Sequence, residues 1–244
     1  MCQCRWWGLN MTDATTQAAP PKAAGAAPEP SGRAPTGAGG KPAGGVVSIG
    51  GNYEVDAGKP LKHYDTASAK AYEARDKSSS SRKLFALVCQ GPLPVRLTIL
   101  QALVGLSTPN LIKLAHSGIV VWPPDQAQRV VMLFEQPAGP RLAGTDGRRA
   151  PIPSDTVTRK IIQPIVAVLR ELETRKIFHG AIRPSNMFAA ADMVDGVVLG
   201  ECVTAPAGYY QPVLYETMQR GMADPSGRGK GHISDDIYSL GVSI

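Results

Sequence analysis

The chain has 244 residues, 43% of them apolar, which is enough for one medium domain with a core and a tail. A net charge of +6 arises from scattered basic residues, with Arg148-Arg149 and Arg228-Gly229-Lys230 among a few short clusters, and this pattern argues against a nucleic-acid footprint. Cys2, Cys4, Cys89 and Cys202 have neither paired zinc-ligand spacing nor the density of a disulfide-stapled secreted domain, and no run reaches the ~20 apolar residues of a membrane span.

The opening Met1 to Trp7 lacks an apolar core of signal-peptide length, so a cytoplasmic location is expected, and Met11 is a second candidate start. Cys2 and Cys4 flank a single residue and could chelate a soft metal, but no His or Cys nearby completes a site. From Asp13 to Gly45 the chain is mostly Ala, Pro, Gly, Ser and Thr, too poor in large apolar side chains to offset the entropy of ordering a backbone. Residues 1–45 are therefore expected to form a disordered Ala/Pro/Gly-rich tail acting as a spacer, with one domain over 46–244.

Apolar periodicity begins at Val46-Val47. Asn52 to Val55, Ala69 to Arg75 and Leu84 to Cys89 are short β-prone runs, and Asp76-Lys77 with a serine run joins the last two as a hairpin loop. Val95, Ile99, Ala102, Leu103 and Leu106 have helical spacing, which predicts a helix from Val95 to Leu106 that ends before Pro109. Leu111 to Val121 and Arg129 to Glu135 read as strands separated by the loop Pro123 to Gln128. Ser154 reads as the N-cap of a helix running to about Thr174, with Val157, Ile161, Ile165, Val168, Leu169 and Leu172 on its apolar face. A short strand pair around Asn186 to Leu199 follows, then a Gly/Pro-rich stretch and a last helical segment from about Ser234. That segment reaches Ile244 with one or two turns and no cap visible, which reads as a chain truncated inside its helical half.

The loop His179-Gly180-Ala181-Ile182-Arg183-Pro184-Ser185-Asn186 resembles the catalytic loop of serine/threonine-type protein kinases, His-Arg-Asp-Leu-Lys-Pro-x-Asn. His179, Pro184 and Asn186 match, Arg183 keeps a cation where the family has Lys, and Ala181 stands at the catalytic Asp. Asp236-Ile237-Tyr238-Ser239-Leu240-Gly241 resembles the helix start whose Asp buttresses that loop's backbone. Ala71 to Asp76 and Leu84 to Val88 resemble the second and third strands of the family, Pro109-Asn110-Leu111-Ile112 the approach to the fourth, and Leu133-Phe134-Glu135 the hinge. The resemblance implies an α+β, two-lobed protein-kinase-like fold: an N-lobe of antiparallel sheet plus one helix over about 46–135, and an incomplete, mainly helical C-lobe over about 136–244.

Each chemical station of the family can be compared with the residue that occupies it. The Gly-rich phosphate loop corresponds to Val55 to Asp65, which contains only Gly58. The phosphate-binding Lys falls at Val88, the helix from Val95 to Leu106 offers no carboxylate to hold such a Lys, and Lys83 is the nearest cation. Asn186 stands at the Asn metal ligand, and Glu201, in Leu199-Gly200-Glu201-Cys202-Val203, replaces the metal-binding Asp with one extra methylene. Glu135 marks the cleft where a nucleotide would sit, while His179, Arg183 and Asp236 have structural roles. A missing base costs ~10²- to 10⁴-fold against turnovers of ~1 to 100 per second, and a missing phosphate clamp lowers the rate further. The expectation is a pseudokinase that binds or regulates a protein partner, through the cleft around Glu135 or the segment Pro206 to Arg228, with ATP and Mg²⁺ bound weakly if at all. Two rivals are a divergent ATP-dependent kinase using Glu201 and Asn186 for metal, and a fragment without function.

Overall fold

The computed structural model describes residues 45–143, 152–190 and 196–244. The expected tail lies outside the described residues except for Gly45, as do Cys2, Cys4, Met11 and the Arg148-Arg149 pair.

Six strands form one antiparallel sheet: β1 (Val46–Ile49), β2 (Tyr53–Pro60), β3 (Ala69–Asp76), β4 (Leu84–Cys89), β5 (Leu114–Trp122) and β6 (Ala127–Glu135), in the order β1-β2-β3-β4-β6-β5. The periodicity starting at Val46 is a full strand that the β-prone runs did not include. Gly50 and Gly51, both at positive φ, make the tight turn that pairs it with β2 in the register Ile49↔Tyr53. The expected strand from Leu111 begins only at Leu114. Leu111 and Ile112 are diverted to another strand, since Ile112 N donates to Leu199 O at 2.8 Å.

Strand β4 is central, and the first five of its six residues, Leu84 to Val88, are all buried. Side chains alternate across a strand. Phe85 and Leu87 therefore face one core with Leu100, Ile165, Met187 and Leu240, and Leu84, Ala86 and Val88 face a second core with Ile49, Val55, Trp122 and Leu133. The first core joins the sheet to the helices, so it fixes the segments in between.

Helix α1 (Leu97–Leu103) is shorter than the predicted 95–106 span, because Gly105 at φ 76 ends it and Arg96 is drawn into other contacts. The second helical stretch runs through α2 (Ser154–Thr156), a π-helical turn (Val157–Ile162) and α3 (Gln163–Thr174). Ser154 is not its N-cap: Pro153 holds that place, and Ser154 is the first helical residue, its side chain making no cap bond. The apolar spacing of four between Val157, Ile161 and Ile165 exceeds 3.6 per turn, and the wider turn keeps Ile161 and Ile165 on one buried face. Strands β7 (Met187–Ala189) and β8 (Val197–Leu199) pair antiparallel, and the short α4 (Met218–Gly221) precedes α5 (Ile233–Ser243). The last helix is capped after all. Ser234 N donates to His232 Nδ1 at 3.3 Å, and His232 N donates to Asp235 Oδ2 at 2.8 Å. Among the described residues, no helix is long and apolar enough to cross a membrane.

Candidate functional site

The loop from His179 to Asn186 leaves α3 through Ile177, which is anchored in the first core, and is then held from α5. Asp236 Oδ2 accepts the His179 N–H and Oδ1 the Gly180 N–H, both at 2.8 Å. Burial pushes the Asp236 carboxyl up to about 7, against the pull of those two N–H groups. Burial also drives His179 down to about 3, so its imidazole is neutral. A carbonyl can only accept, so the Nε2 lying 3.1 Å from Gly200 O carries the proton, which leaves Nδ1 without a partner.

Asn186 is buried, and its Nδ2 donates to Ala181 O and Glu201 O, each at 2.9 Å. Gly200 N returns a bond to Asn186 O at 2.8 Å, and a Cβ at position 200 would collide with Asn186 Oδ1. Glu201 turns its carboxylate onto its own chain. Oε2 accepts from Val203 N at 2.7 Å and Thr204 N at 2.9 Å, and Oε1 accepts from the Thr204 hydroxyl at 2.6 Å. The structure thus brings Asn186 and Glu201 together, but with both side chains engaged in bracing backbone. Asn186 is held through Nδ2 and Glu201 through both carboxylate oxygens, and among the described residues no group of three or more His, Cys, Asp or Glu is placed to hold a metal. Arg183 donates to Ser185 Oγ at 3.1 Å and Gln211 Oε1 at 2.9 Å, and burial lowers its pKa. Apart from the backbone oxygen that holds Asn186, Ala181 contributes only a methyl group.

Arg96 was not singled out in the sequence. Its guanidinium gathers Phe178 O at 2.5 Å and both His179 O and Cys202 O at 2.8 Å, tying the start of α1 to the loop and to the segment after Glu201. Its partners lie 82 to 106 positions away, so no local pattern pointed to it.

Other expected residues lie elsewhere. Val88 faces the second core, away from α1, whose Leu100 and Leu103 belong to the first. A lysine pairing with that helix would need the opposite face of β4, which carries Phe85, Leu87 and Cys89. Lys83 is exposed just before β4. Glu135, at the end of β6, is ion-paired with Arg82 at 2.6 Å and Lys113 at 3.2 Å; burial raises its pKa, and these two cations outweigh that and hold it below the usual carboxylate range. Its charge is therefore matched within the protein.

The stretch Val55 to Asp65 does not arch as a glycine loop. It completes β2, where Gly58 N bonds Asp56 Oδ1 at 2.9 Å, and then forms a 3-10 turn, Lys62–Tyr64, that inserts Tyr64 into the first core. Tyr64 is stacked on Phe85 with ring centroids 4.3 Å apart.

The segment from Pro206 to Arg228 is pinned by buried charge. Arg220 Nε donates to Glu216 Oε2 at 2.7 Å, Arg220 Nη1 to Arg228 O at 2.6 Å, and Arg228 Nη1 to Gly208 O at 2.6 Å. Arg220 also stands 5.2 Å from the Phe178 ring centroid, linking the segment to the loop. On the outside of this frame Val213, Leu214, Met218 and Met222 are exposed.

No family model and no curated protein matches the chain in sequence. Solved structures do match it in fold, among them the crystal structure of Rad53 1-466 in complex with AMP-PNP, with a TM-score of 0.56 and 14% identity, over 78% of this chain and 46% of that one. The chain thus spans just under half the length of the solved chain. Rad53 is a kinase, and likeness at this identity shows that the chain has a kinase-like fold.

Proposed function

We propose that the chain is a two-lobed kinase-like domain, with lobes over about 46–135 and 136–244, that binds or regulates a protein partner and does not transfer phosphate. One observation carries this reading. At the loop where the family keeps an acceptor for the substrate hydroxyl proton, Ala181 presents a methyl group, and the nearby carboxylate of Glu201 is engaged by Val203 N, Thr204 N and the Thr204 hydroxyl. The methyl group cannot take up a proton, and the carboxylate is already stabilised in its ionised form by three donors, which makes it a weak base. The pinned segment Pro206 to Arg228, with Val213, Leu214, Met218 and Met222 turned outward, supports a role in protein binding through that face, since a rigid frame lowers the ordering cost of association. The test is incubation of the full chain with Mg²⁺ and γ-labelled ATP, alone and with a general acceptor protein. No incorporation above the protein-free control is expected, and incorporation that disappears on Glu201→Gln substitution would overturn the proposal.

A further inference from the structure

The loop between β3 and β4 carries four successive serines, Ser78 to Ser81, with Lys77 before them and Arg82 and Lys83 after. Three of their hydroxyls are engaged within the loop: Ser78 Oγ donates to Asp76 Oδ1 at 2.5 Å, and those of Ser79 and Ser81 lie 3.1 Å apart. Ser80 is exposed, and among the described residues its hydroxyl has no hydrogen-bond partner. A hydroxyl that another protein is to modify must be reachable and free, and in this run that is Ser80.

The charges around Ser80 are unevenly matched. Ser79 and Ser80 share the wall of a cavity of about 590 Å³ with Arg75, Arg82 and Lys83, and its two acids are Glu73 and Asp76. Both acids are taken. Glu73 pairs with Arg75 at 2.9 Å and Lys59 at 3.4 Å, and Asp76, turned inward and buried, pairs with Arg82 at 3.2 Å. Arg82 also reaches Glu135 at 2.6 Å, at the end of β6. Lys83 is exposed and, among the described residues, makes no ion pair. The wall beside the free hydroxyl thus has a spare ammonium and a guanidinium held between two carboxylates, which suits an anion attached at Ser80.

We propose that Ser80 is a phosphorylation site for a separate serine-directed protein kinase that selects basic side chains beside its target, and that Arg82 and Lys83 receive the phosphate. In the transfer, Ser80 Oγ bonds to the γ-phosphorus of a nucleoside triphosphate held by that kinase, and the bond from this phosphorus to its bridging oxygen breaks. The hydroxyl proton goes to the kinase's base, and a nucleoside diphosphate leaves. Phosphoserine brings a charge of about −1.5 to −2 and three acceptor oxygens, against the single charge of Glu135. It therefore draws Arg82 from Glu135, which keeps Lys113 at 3.2 Å, so modification of the loop is felt at the end of β6. None of this depends on whether the chain itself transfers phosphate, because the phosphate comes from another protein.

The experiment has two arms. In the first, the folded full chain is incubated with ATP, Mg²⁺ and the catalytic subunit of a serine kinase selective for basic flanks, and the sites are mapped by mass spectrometry. Ser80 is expected to be labelled at least ~10-fold faster than Ser78, Ser79 or Ser81, and S80A to lose that labelling. Labelling spread evenly over the run, placed elsewhere in the chain, or seen only after unfolding in urea overturns the proposal. In the second, phosphoserine is placed at position 80 during synthesis, and its phosphorus resonance is followed against pH in the full chain and in Arg82→Ala and Lys83→Ala backgrounds. The second phosphate pKa is expected below the ~6 of free phosphoserine, and to move back towards it in either variant. A phosphate that titrates at ~6 in the otherwise wild-type chain, or is indifferent to both substitutions, overturns the receiving site. Should R82A lose its cooperative melt, K83A decides, since Lys83 holds no other partner: a pKa that rises supports the proposal and an unmoved one overturns it.

Discussion

Replacing Asp236 by alanine probes the bond on which the loop's position depends. Its carboxylate is the acceptor for the His179 and Gly180 N–H groups, each at 2.8 Å, and the side chain has no access to solvent. A buried donor left unsatisfied costs ~1–3 kcal/mol, so two orphaned N–H groups cost about 2–6 kcal/mol. In a domain of this size that corresponds to a melting point lowered by roughly 5–20 °C. Asp236→Asn keeps the shape and one acceptor oxygen but turns an NH₂ towards the other donor, and should cost about half as much. Urea denaturation followed by far-ultraviolet circular dichroism measures the loss, and hydrogen exchange at residues 179 and 180 locates it. A D236A midpoint within about 0.5 kcal/mol of wild type, with both amides still protected, refutes the reasoning.

The same pair predicts opposing pH slopes. Burial lowers His179 from 6.5 to about 3, so its contribution is fully present above pH 6.5 and is lost as the pH falls towards 3; burial raises Asp236 from 3.8 to about 7, so its contribution is present below pH 3.8 and is lost as the pH rises towards 7. Between about pH 4 and 6.5, His179→Gln should therefore lose stability as pH rises and D236N should gain it, each by up to about 1.4 kcal/mol per pH unit; urea midpoints that move in the same direction refute the assignment. Glu216→Ala leaves Arg220 and Arg228 buried without their carboxylate and should cost ~3–5 kcal/mol. An unchanged thermal melt for E216A would show that the Pro206 to Arg228 frame is not held by charge.

The elements that could be read from the sequence are those whose signal is local. Leu84 to Cys89 announced itself because a strand covered on both faces is apolar at successive positions, and Ile165 to Leu172 because one helical face is buried. The loop from His179 to Asn186 was legible as a motif, and with it Asp236 as its brace. The face of β4 was not, because an unbroken apolar strand gives no alternation from which to tell Val88 from Leu87. Arg96, Arg141 and Tyr64 were invisible for another reason. Each acts on backbone carbonyls or rings brought near only by the fold, as with Arg141 and the carbonyls of His63 and Asp65, 78 and 76 positions away. Carbonyls leave no mark in a sequence.

The remaining question is how this loop keeps its shape with a methyl group at position 181. In a site built for chemistry, some polar groups are held ready for a substrate, and that readiness costs stability. Here the corresponding groups bind one another: His179 with Gly200 O, Asn186 with Ala181 O and Glu201 O, Arg183 with Ser185 and Gln211, and Glu201 with Val203 N and Thr204. On the proposed reading, a carboxylate at 181 would add a second negative charge to a region where Glu201 already carries one, and alanine avoids that repulsion. The result is a loop held largely by its own hydrogen bonds, with His179 Nδ1 left without a partner, and clamped from two helices, by Arg96 at the start of α1 and Asp236 in α5. On the proposed reading, such a construction transmits displacement rather than chemistry. A partner that shifts either helix must break buried hydrogen bonds at this loop, which is the physical coupling a regulatory binding module requires.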